Sequence, residues 1–364
     1  MTNIARHASL ALMLALLWLA PAAAPATETA AGSSPEWRFT GVSRVVAVGD
    51  IHGAYDSLVS TLQALDVVDE AGAWSGGTAH FVSLGDVPDR GPESRRVLDL
   101  LMRLQTEAAG AGGAVHLVLG NHEVMNVIGD LRYVAREEFA AFSDDESPEE
   151  REAAFERYLE RRPGKKIGKN KARREFDTRY PPGFFAHRKA FSRDGVYGAW
   201  ILDRPTLIVI DDTAFVHGGL PPVVAELGVD GLNRRVDAEI RAYLDALEVV
   251  ESAGVMATEA SLAERQTMLA SALEANPDAS WREAAETVLG VKEMLAHSDS
   301  GPLWYRRTAG APEDGEAATV DAALERLGVA RAVHGHSVTA DRRIRTRFDG
   351  KVVLIDTGML ASHY

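Results

Sequence analysis

Five short apolar runs, each released into a glycine-flanked Asp, Asn or His, set the tightest limit on how this chain can fold. Arg44 to Val48, His80 to Leu84, Ala114 to Leu119, Thr206 to Ile210 with Ala214 to Val216, and Arg331 to Val333 read as buried strands. They lead into GDIHG (Gly49 to Gly53), GDVPDRG (Gly85 to Gly91), GNHE (Gly120 to Glu123), HGG (His217 to Gly219) and GHS (Gly335 to Ser337). Open α/β sheets hold their ligands outside the carboxyl ends of strands. Glycine at such joints lets backbone approach an ion or phosphate closely. Any one of these strings alone is usually a turn or a satisfied surface group. Their repetition in chain order is what marks a site.

The donor types select the chemistry. Asp50, His52, Asp86, Asn121, His217 and His336 offer only oxygen and nitrogen, because the chain has no cysteine, and such a set suits Mn, Fe or Zn. Six protein ligands are too many for one catalytic ion that must keep an open position. Two divalent or trivalent ions sharing a carboxylate fit better. Metals about 4 Å apart clamp the attacking and leaving oxygens of an in-line displacement and acidify a bridging water. Phosphoester hydrolysis is therefore the predicted reaction. His122, next to Asn121, is an imidazole that beside a carboxylate can protonate a leaving oxygen near neutral pH. Arg90 brings a planar fork suited to phosphate oxygens. Two assignments have plain structural alternatives: Asp89 as the cap of a helix starting near Pro92, and Arg306, beside Arg307, as a surface charge. His334 reads as structural, and His80, His116, His187, His297 and His363 carry no spacing signal.

The five strings resemble those of the calcineurin-like metallophosphoesterases. GNHEVMNVIGDLRYV (Gly120 to Val134) and GPLWYRR (Gly301 to Arg307) resemble the Shewanella-like protein phosphatases, with a match from about Arg44 to Met359. The resemblance implies an α/β fold, a calcineurin-like β-sandwich flanked by helices and carrying a helical cap. It implies Asp50 and His52 on a first metal, Asp86 as the bridge, and Asn121, His217 and His336 on a second. It makes His122 the general acid, oriented by Asp89, and places Arg90 and Arg306 on the phosphate oxygens. Its substrates would be phosphotyrosine or phosphoserine/threonine proteins, or small phosphomonoesters, attacked in line by a bridging hydroxide. Val338 stands where nuclease and cyclic-nucleotide relatives place the second histidine of GHxH, and Asp89 and Glu123 are residues that diadenosine tetraphosphatases tend to lack. Both points favour the protein-phosphatase branch. Dinucleoside polyphosphate hydrolysis and a catalytically silent, phospho-ligand-binding role are the alternatives.

Residues 1–26 read as a signal peptide: Arg6, an apolar run from Leu10 to Leu19, then Ala24, Pro25 and Ala26. The run is short for a membrane span. A periplasmic or secreted protein with no stable anchor after cleavage is expected, followed by a flexible leader over 27–40. Residues 41–364 would form the metallophosphoesterase domain, with insertions at about 137–200 and 222–300. At 364 residues and 46% hydrophobic content the chain can bury one large core plus an accessory region. A net charge of −14 disfavours nucleic acid as a partner. Against that average, Arg161 to Arg193 is strongly basic, either as solvated helical faces or as a lid that draws anionic substrate in. Leu232 to Glu251 and Ser261 to Leu273 carry helical spacing, with Ser280 and Asp321 as candidate N-caps. Arg342 to Arg347 and Val352 to Ile355 flank Asp349 and Gly350 as a two-residue hairpin.

Overall fold

The strand-forming runs assemble into two sheets. In this computed structural model, residues 37–161 and 168–363 are described. The signal-peptide reading and Lys165 and Lys166 of the basic segment lie outside them. The strands are β1 (Arg38–Phe39), β2 (Val45–Val48), β3 (His80–Ser83), β4 (Ala114–Leu117), β5 (Leu207–Ile210), β6 (Thr213–Val216), β7 (Arg331–His334), β8 (Arg345–Arg347) and β9 (Val352–Leu354). β2, β3 and β4 form a parallel three-stranded sheet in which Val48, Ser83 and Leu117 stand level. The other six strands run in the order β1-β5-β6-β7-β9-β8, with β6, β7 and β9 parallel to one another.

Because side chains alternate across a strand, each sheet has two apolar faces to bury. Val82, Leu84 and Val118 from one sheet meet Ile208, Ile210, Phe215 and Val333 from the other, so the two sheets pack as a sandwich. The outer faces are covered by helices. α1 (Tyr55–Ala64) and α2 (Ser94–Gly110) supply Leu58, Leu62, Val97, Leu101 and Leu104 to the core with Val46 and Phe81. α3 (Asn121–Ile128) follows β4 directly. α4 (Arg136–Ala140), α5 (Pro148–Glu160), α6 (Lys169–Arg179) and α7 (Phe184–Ala190) gather around a separate aromatic core of Phe139, Phe155, Phe176, Tyr180, Phe184 and Phe185. α8 (Val196–Leu202) leads back into β5. α9 (Pro222–Ser252) is broken at Gly228, whose φ of 66° is not helical. α10 (Leu262–Ala275), α11 (Arg282–Leu289), α12 (Arg307–Gly310) and α13 (Glu313–Leu327) complete the helical set. Among the described residues, no helix is long and apolar enough to cross a membrane.

Several local expectations need correction. Ser261 is a true cap, its hydroxyl and N–H both meeting Glu264, but Ser280 is not one. α11 starts only after Trp281. Asp321 lies inside α13, where its carboxylate accepts from Lys351 at 2.6 Å rather than from a helix N-terminus. α2 begins at Ser94 with Glu93 before it, so Asp89 does not cap it. Asp349 and Gly350 do form the hairpin turn, both with positive φ (53° and 83°). The ladder still closes a residue early on each side because Phe348 is left-handed as well, at 52°. In the basic segment, Arg161, Lys169, Arg173 and Arg179 pair with Glu259, Glu156, Glu152 and Glu264. Those four cations are committed to carboxylates within the helical layer.

Candidate metal centre

The parallel registers place six residues that follow strand ends at one edge of the sandwich. Asp50 leaves β2, Asp86 leaves β3 and Asn121 leaves β4, while His217 leaves β6 and His336 leaves β7 at the matching edge of the other sheet. His52 follows Asp50 in the same loop. The turns that aim these side chains are tight. Of the ten non-glycine residues with positive φ among the described residues, five are His52 (49°), Asp86 (51°), Asp89 (74°), Arg90 (66°) and His336 (62°). Such conformations cost energy for an L-residue and gather where function requires them. Two glycines give the carboxylates room. A Cβ on Gly120 would come within 2.3 Å of Asp86 Oδ1, and one on Gly335 within 2.4 Å of Asp50 Oδ1.

Two groups of three candidate donors share one carboxylate, His122 lying within the first through its closeness to Asp86. His52, Asp86 and His122 form one group, and Asp86, His217 and His336 the other, each with its donor atoms within 4.8 Å of one another. Asp86 Oδ2 lies 3.7 Å from His52 Nε2, 3.8 Å from His122 Nε2 and 3.3 Å from His217 Nε2. Asn121 Oδ1 and His336 Nδ1 are each 3.1 Å from His217 Nε2. Asp50 stands slightly apart: Oδ2 is 3.8 Å from His52 Nε2, while Oδ1 accepts the N–H of His336 at 2.8 Å. His52 Nδ1 donates to the Pro88 carbonyl at 3.0 Å, and His217 Nδ1 to the Leu84 carbonyl at 2.7 Å. Each ring thereby turns its Nε2 inward, the usual way a metal-binding histidine is held.

Cations fit this donor set. The buried Nε2 atoms of His52 and His336 have no hydrogen-bond partner among the described residues. Orphaned buried nitrogens of that kind call for a ligand. Burial, followed by the charges of Asp356 and Asp86, pushes the Asp50 carboxyl well above its usual range. Burial would lower His217, but Asp86, Asp50 and Glu123 outweigh it and lift the ring to about 9. The carboxylates thus draw positive charge into the pocket. Burial keeps His52 near 3 and His336 well below the ordinary range, so both rings are neutral and able to ligate.

His122 sits beside this centre with its partner in place. Its Nδ1 lies 2.5 Å from Asp89 Oδ2, and Asn126 Nδ2 donates to Asp89 Oδ1 at 2.9 Å. Burial opposes the charged ring, yet the Asp86 charge and the Asp89 hydrogen bond outweigh it and raise the His122 pKa. Arg90, half-buried, brings Nη2 to 3.4 Å from His122 Nε2. Arg306 is exposed at the rim, where Nη1 donates to the His336 carbonyl at 2.9 Å and approaches Ser337 Oγ at 3.3 Å. The neighbouring Arg307 is paired with Glu316. His334 is fully buried in β7, where burial takes its pKa to about 3.

Three residues escaped the sequence reading. Asp356, 1% exposed, follows β9 and lies against Asp50. The signal for it was present, since VVLID followed by Gly358 repeats the run-then-carboxylate pattern used to find the other five joints. Asn126 lies one helical turn beyond His122, on the same face of α3. Glu123 was used only to choose between families, but it splices two loops: its carboxylate accepts from the N–H groups of Asp86 (2.8 Å), Val87 (2.8 Å) and Gly120 (2.9 Å). Glu123→Ala would leave three buried donors unpaired at about 1–3 kcal/mol each. Urea unfolding should therefore show a loss of at least about 3 kcal/mol. A loss under about 1 kcal/mol, the worth of a single ordinary hydrogen bond, would mean that the loops hold without it.

A family model described as calcineurin-like phosphoesterase matches residues 43–340. Shewanella-like protein phosphatase 2 of Arabidopsis thaliana is 32% identical over 212 residues, covering 57% of this chain and 54% of that protein. Shewanella-like protein phosphatase 1 of Plasmodium berghei is 26% identical over 54% of this chain and 44% of its own length. The match thus spans roughly half the length of these curated relatives. A crystal structure of a cold-active protein-tyrosine phosphatase from a psychrophilic Shewanella species aligns with a TM-score of 0.58 at 25% identity, covering 89% of this chain and 74% of that one.

Proposed function

The chain belongs to the calcineurin-like phosphoesterase family, and we propose that it is a metal-dependent phosphomonoester hydrolase acting on phosphorylated protein side chains, phosphotyrosine foremost. The observation that carries this reading is the pair of triads joined at Asp86 with the His122–Asp89 pair at their edge. Two cations held there, by Asp50, His52 and Asp86 on one side and Asp86, Asn121, His217 and His336 on the other, would neutralise phosphoryl charge and acidify the attacking water. The chain's own residues do the rest. Asp89 holds His122 through Nδ1, so Nε2 carries the proton to the departing oxygen. Arg90 and Arg306 meet the remaining phosphoryl oxygens from either side of the centre.

Two aromatic rings support an aryl leaving group. Tyr133, 41% exposed, has its ring centroid 5.0 Å from that of His122, with the Arg90 guanidinium 5.9 Å from the tyrosine centroid. Trp304 stands edge-on to His336 at 5.8 Å. A phosphotyrosine ring entering beside His122 meets Tyr133, whereas a phosphoserine side chain is too short to use it. Aromatic pairs contribute about 0.5–1.5 kcal/mol beyond the area they bury. Tyr133→Ala should therefore raise KM for phosphotyrosine peptides by roughly 3- to 10-fold, with little change for phosphoserine peptides. Equal changes for both would remove the aryl preference. The reaction class itself is tested with p-nitrophenyl phosphate and added Mn, before and after chelation. A metal-loaded chain that does not turn over would be a phospho-ligand-binding protein instead.

A further inference from the structure

A second cluster of cations lies beyond the metal centre, at the opposite end of α3. A cavity of about 630 Å³ opens there between the segment after α3, α7 and α10. Five cationic side chains line it, Arg132, Arg179, Arg188, Arg265 and Lys292, against two acids, Asp130 and Glu259. Asp130 is taken by Arg132, Glu259 by Arg161 from outside, and Arg179 by Glu264. Arg188 and Arg265 remain without a carboxylate in ion-pair contact among the described residues.

These two guanidiniums approach each other, Arg265 buried and Arg188 half-buried. Arg265 is 1% exposed and is the largest fully buried side chain among the described residues. A Cβ on Gly129 would lie 2.5 Å from Arg265 Nη2 and 2.8 Å from Arg188 Nη2, so the two nitrogens flank one point in space. Arg265 donates through Nε to the Ala260 carbonyl at 3.0 Å and through Nη1 to the Ile128 carbonyl at 2.5 Å, while Arg188 Nη1 donates to the Asn126 carbonyl at 2.9 Å. The carbonyls of the α3 C-terminus carry only partial charge, about half a unit for the whole helix end. A buried guanidinium beside a half-buried one, with no carboxylate in ion-pair contact with either among the described residues, leaves positive charge for an anion to meet. Burial, then the charge of Arg265, lowers Arg188 to about 10; Glu251 offsets part of this from beyond ion-pair distance, its own carboxyl raised by burial and lowered in turn by Arg265 and Arg188.

We infer that this cavity is an oxyanion site, in which Arg188 and Arg265 together bind a phosphate-class group. With Arg265 Nε and Nη1 and Arg188 Nη1 given to carbonyls, the two Nη2 groups, one from each guanidinium, are left to meet separate oxygens of a phosphate or sulfate. The cavity exceeds one such ion in size, so the group can arrive free or attached to a larger ligand. The site is separate from the metal centre. α3 is 8 residues long, about 12 Å at 1.5 Å per residue. Its first residues, Asn121 and His122, face the metal ligands, and its last carbonyls face the arginines. Tyr133 continues from the cavity wall at Arg132 toward His122. A substrate bearing a second phosphoryl group could therefore reach both sites.

Calorimetric titration of the metal-loaded full-length chain with inorganic phosphate tests this directly. Two classes of site are expected: one that disappears on chelation, and one that persists and is weakened about tenfold or more in Arg188→Leu. Should Arg188→Leu not fold, Arg188→Lys, which keeps the charge but loses the fork, should weaken the persisting class to a smaller degree. The source of the anion is read from peptides. If it belongs to the substrate, Arg188→Leu raises KM for a doubly phosphorylated peptide and leaves the singly phosphorylated one unchanged. If it is free, both peptides behave alike while the phosphate titration still loses its persisting class. A chelated wild-type chain that binds no phosphate, or a persisting class unchanged by both Arg188 variants, overturns the inference. Neither result bears on the metal-dependent class, which stands or falls separately.

Discussion

Asp86→Asn is expected to strip the chain of bound metal and of turnover together. The substitution removes the one charge shared by both triads, while the backbone N–H of residue 86 still donates to Glu123 and the side-chain oxygen can still accept the His122 N–H. The fold should therefore persist. Residues that act as a unit fail as a unit, so a fall in kcat on the order of 10³ or more is expected. Mass-spectrometric metal content, measured on the sample used for kinetics, should fall with it. A variant that retains two equivalents of metal and is nevertheless inactive would mean that Asp86 acts in the chemistry rather than as the bridge.

His122→Asn should separate the two effects. Metal content is expected to stay near wild type, while hydrolysis of esters with poor leaving groups slows by about 10²–10⁴, the usual worth of a positioned acid. Activated aryl esters, whose leaving oxygen needs little protonation, should slow far less. The pH dependence follows from the same contacts. Burial alone would lower the His122 pKa, but Asp86 and Asp89 raise it, so the protonated acid survives to higher pH than an ordinary histidine would allow. Asp89→Asn removes one of the raising influences, and the alkaline limb of the rate profile should move to lower pH. Equal metal loss in the Asp86 and His122 variants would cancel the division of labour between them.

Much of this cluster was legible because each candidate ligand sits at the exit of its own apolar strand, where sequence neighbours alone reveal it. Asp50, Asp86, Asn121, His217 and His336 were found in that way, and the parallel registers explain why residues far apart in the chain meet. The partners that hold them were less visible. Glu123 reaches three N–H groups, two of them in another loop, and Asp89 answers to Asn126 across a gap of 37 residues, and no local pattern encodes such pairings. Arg188 and Arg265 carry no mark in the sequence because periodicity cannot tell a buried guanidinium from a solvated one. Ser280 and Asp321 failed as caps for a related reason: a residue with capping chemistry caps only if the helix starts beside it, and tertiary packing sets that start.

The left-handed backbone at His52, Asp86, Asp89, Arg90 and His336 sets robustness against chemistry. Glycine adopts these angles freely, whereas other residues give up about 1 kcal/mol or more at each. A descendant relieved of its catalytic duty would become sturdier by drifting to glycine at these sites. Under the proposed reaction, the side chains at these angles are held for their donors and not for the fold.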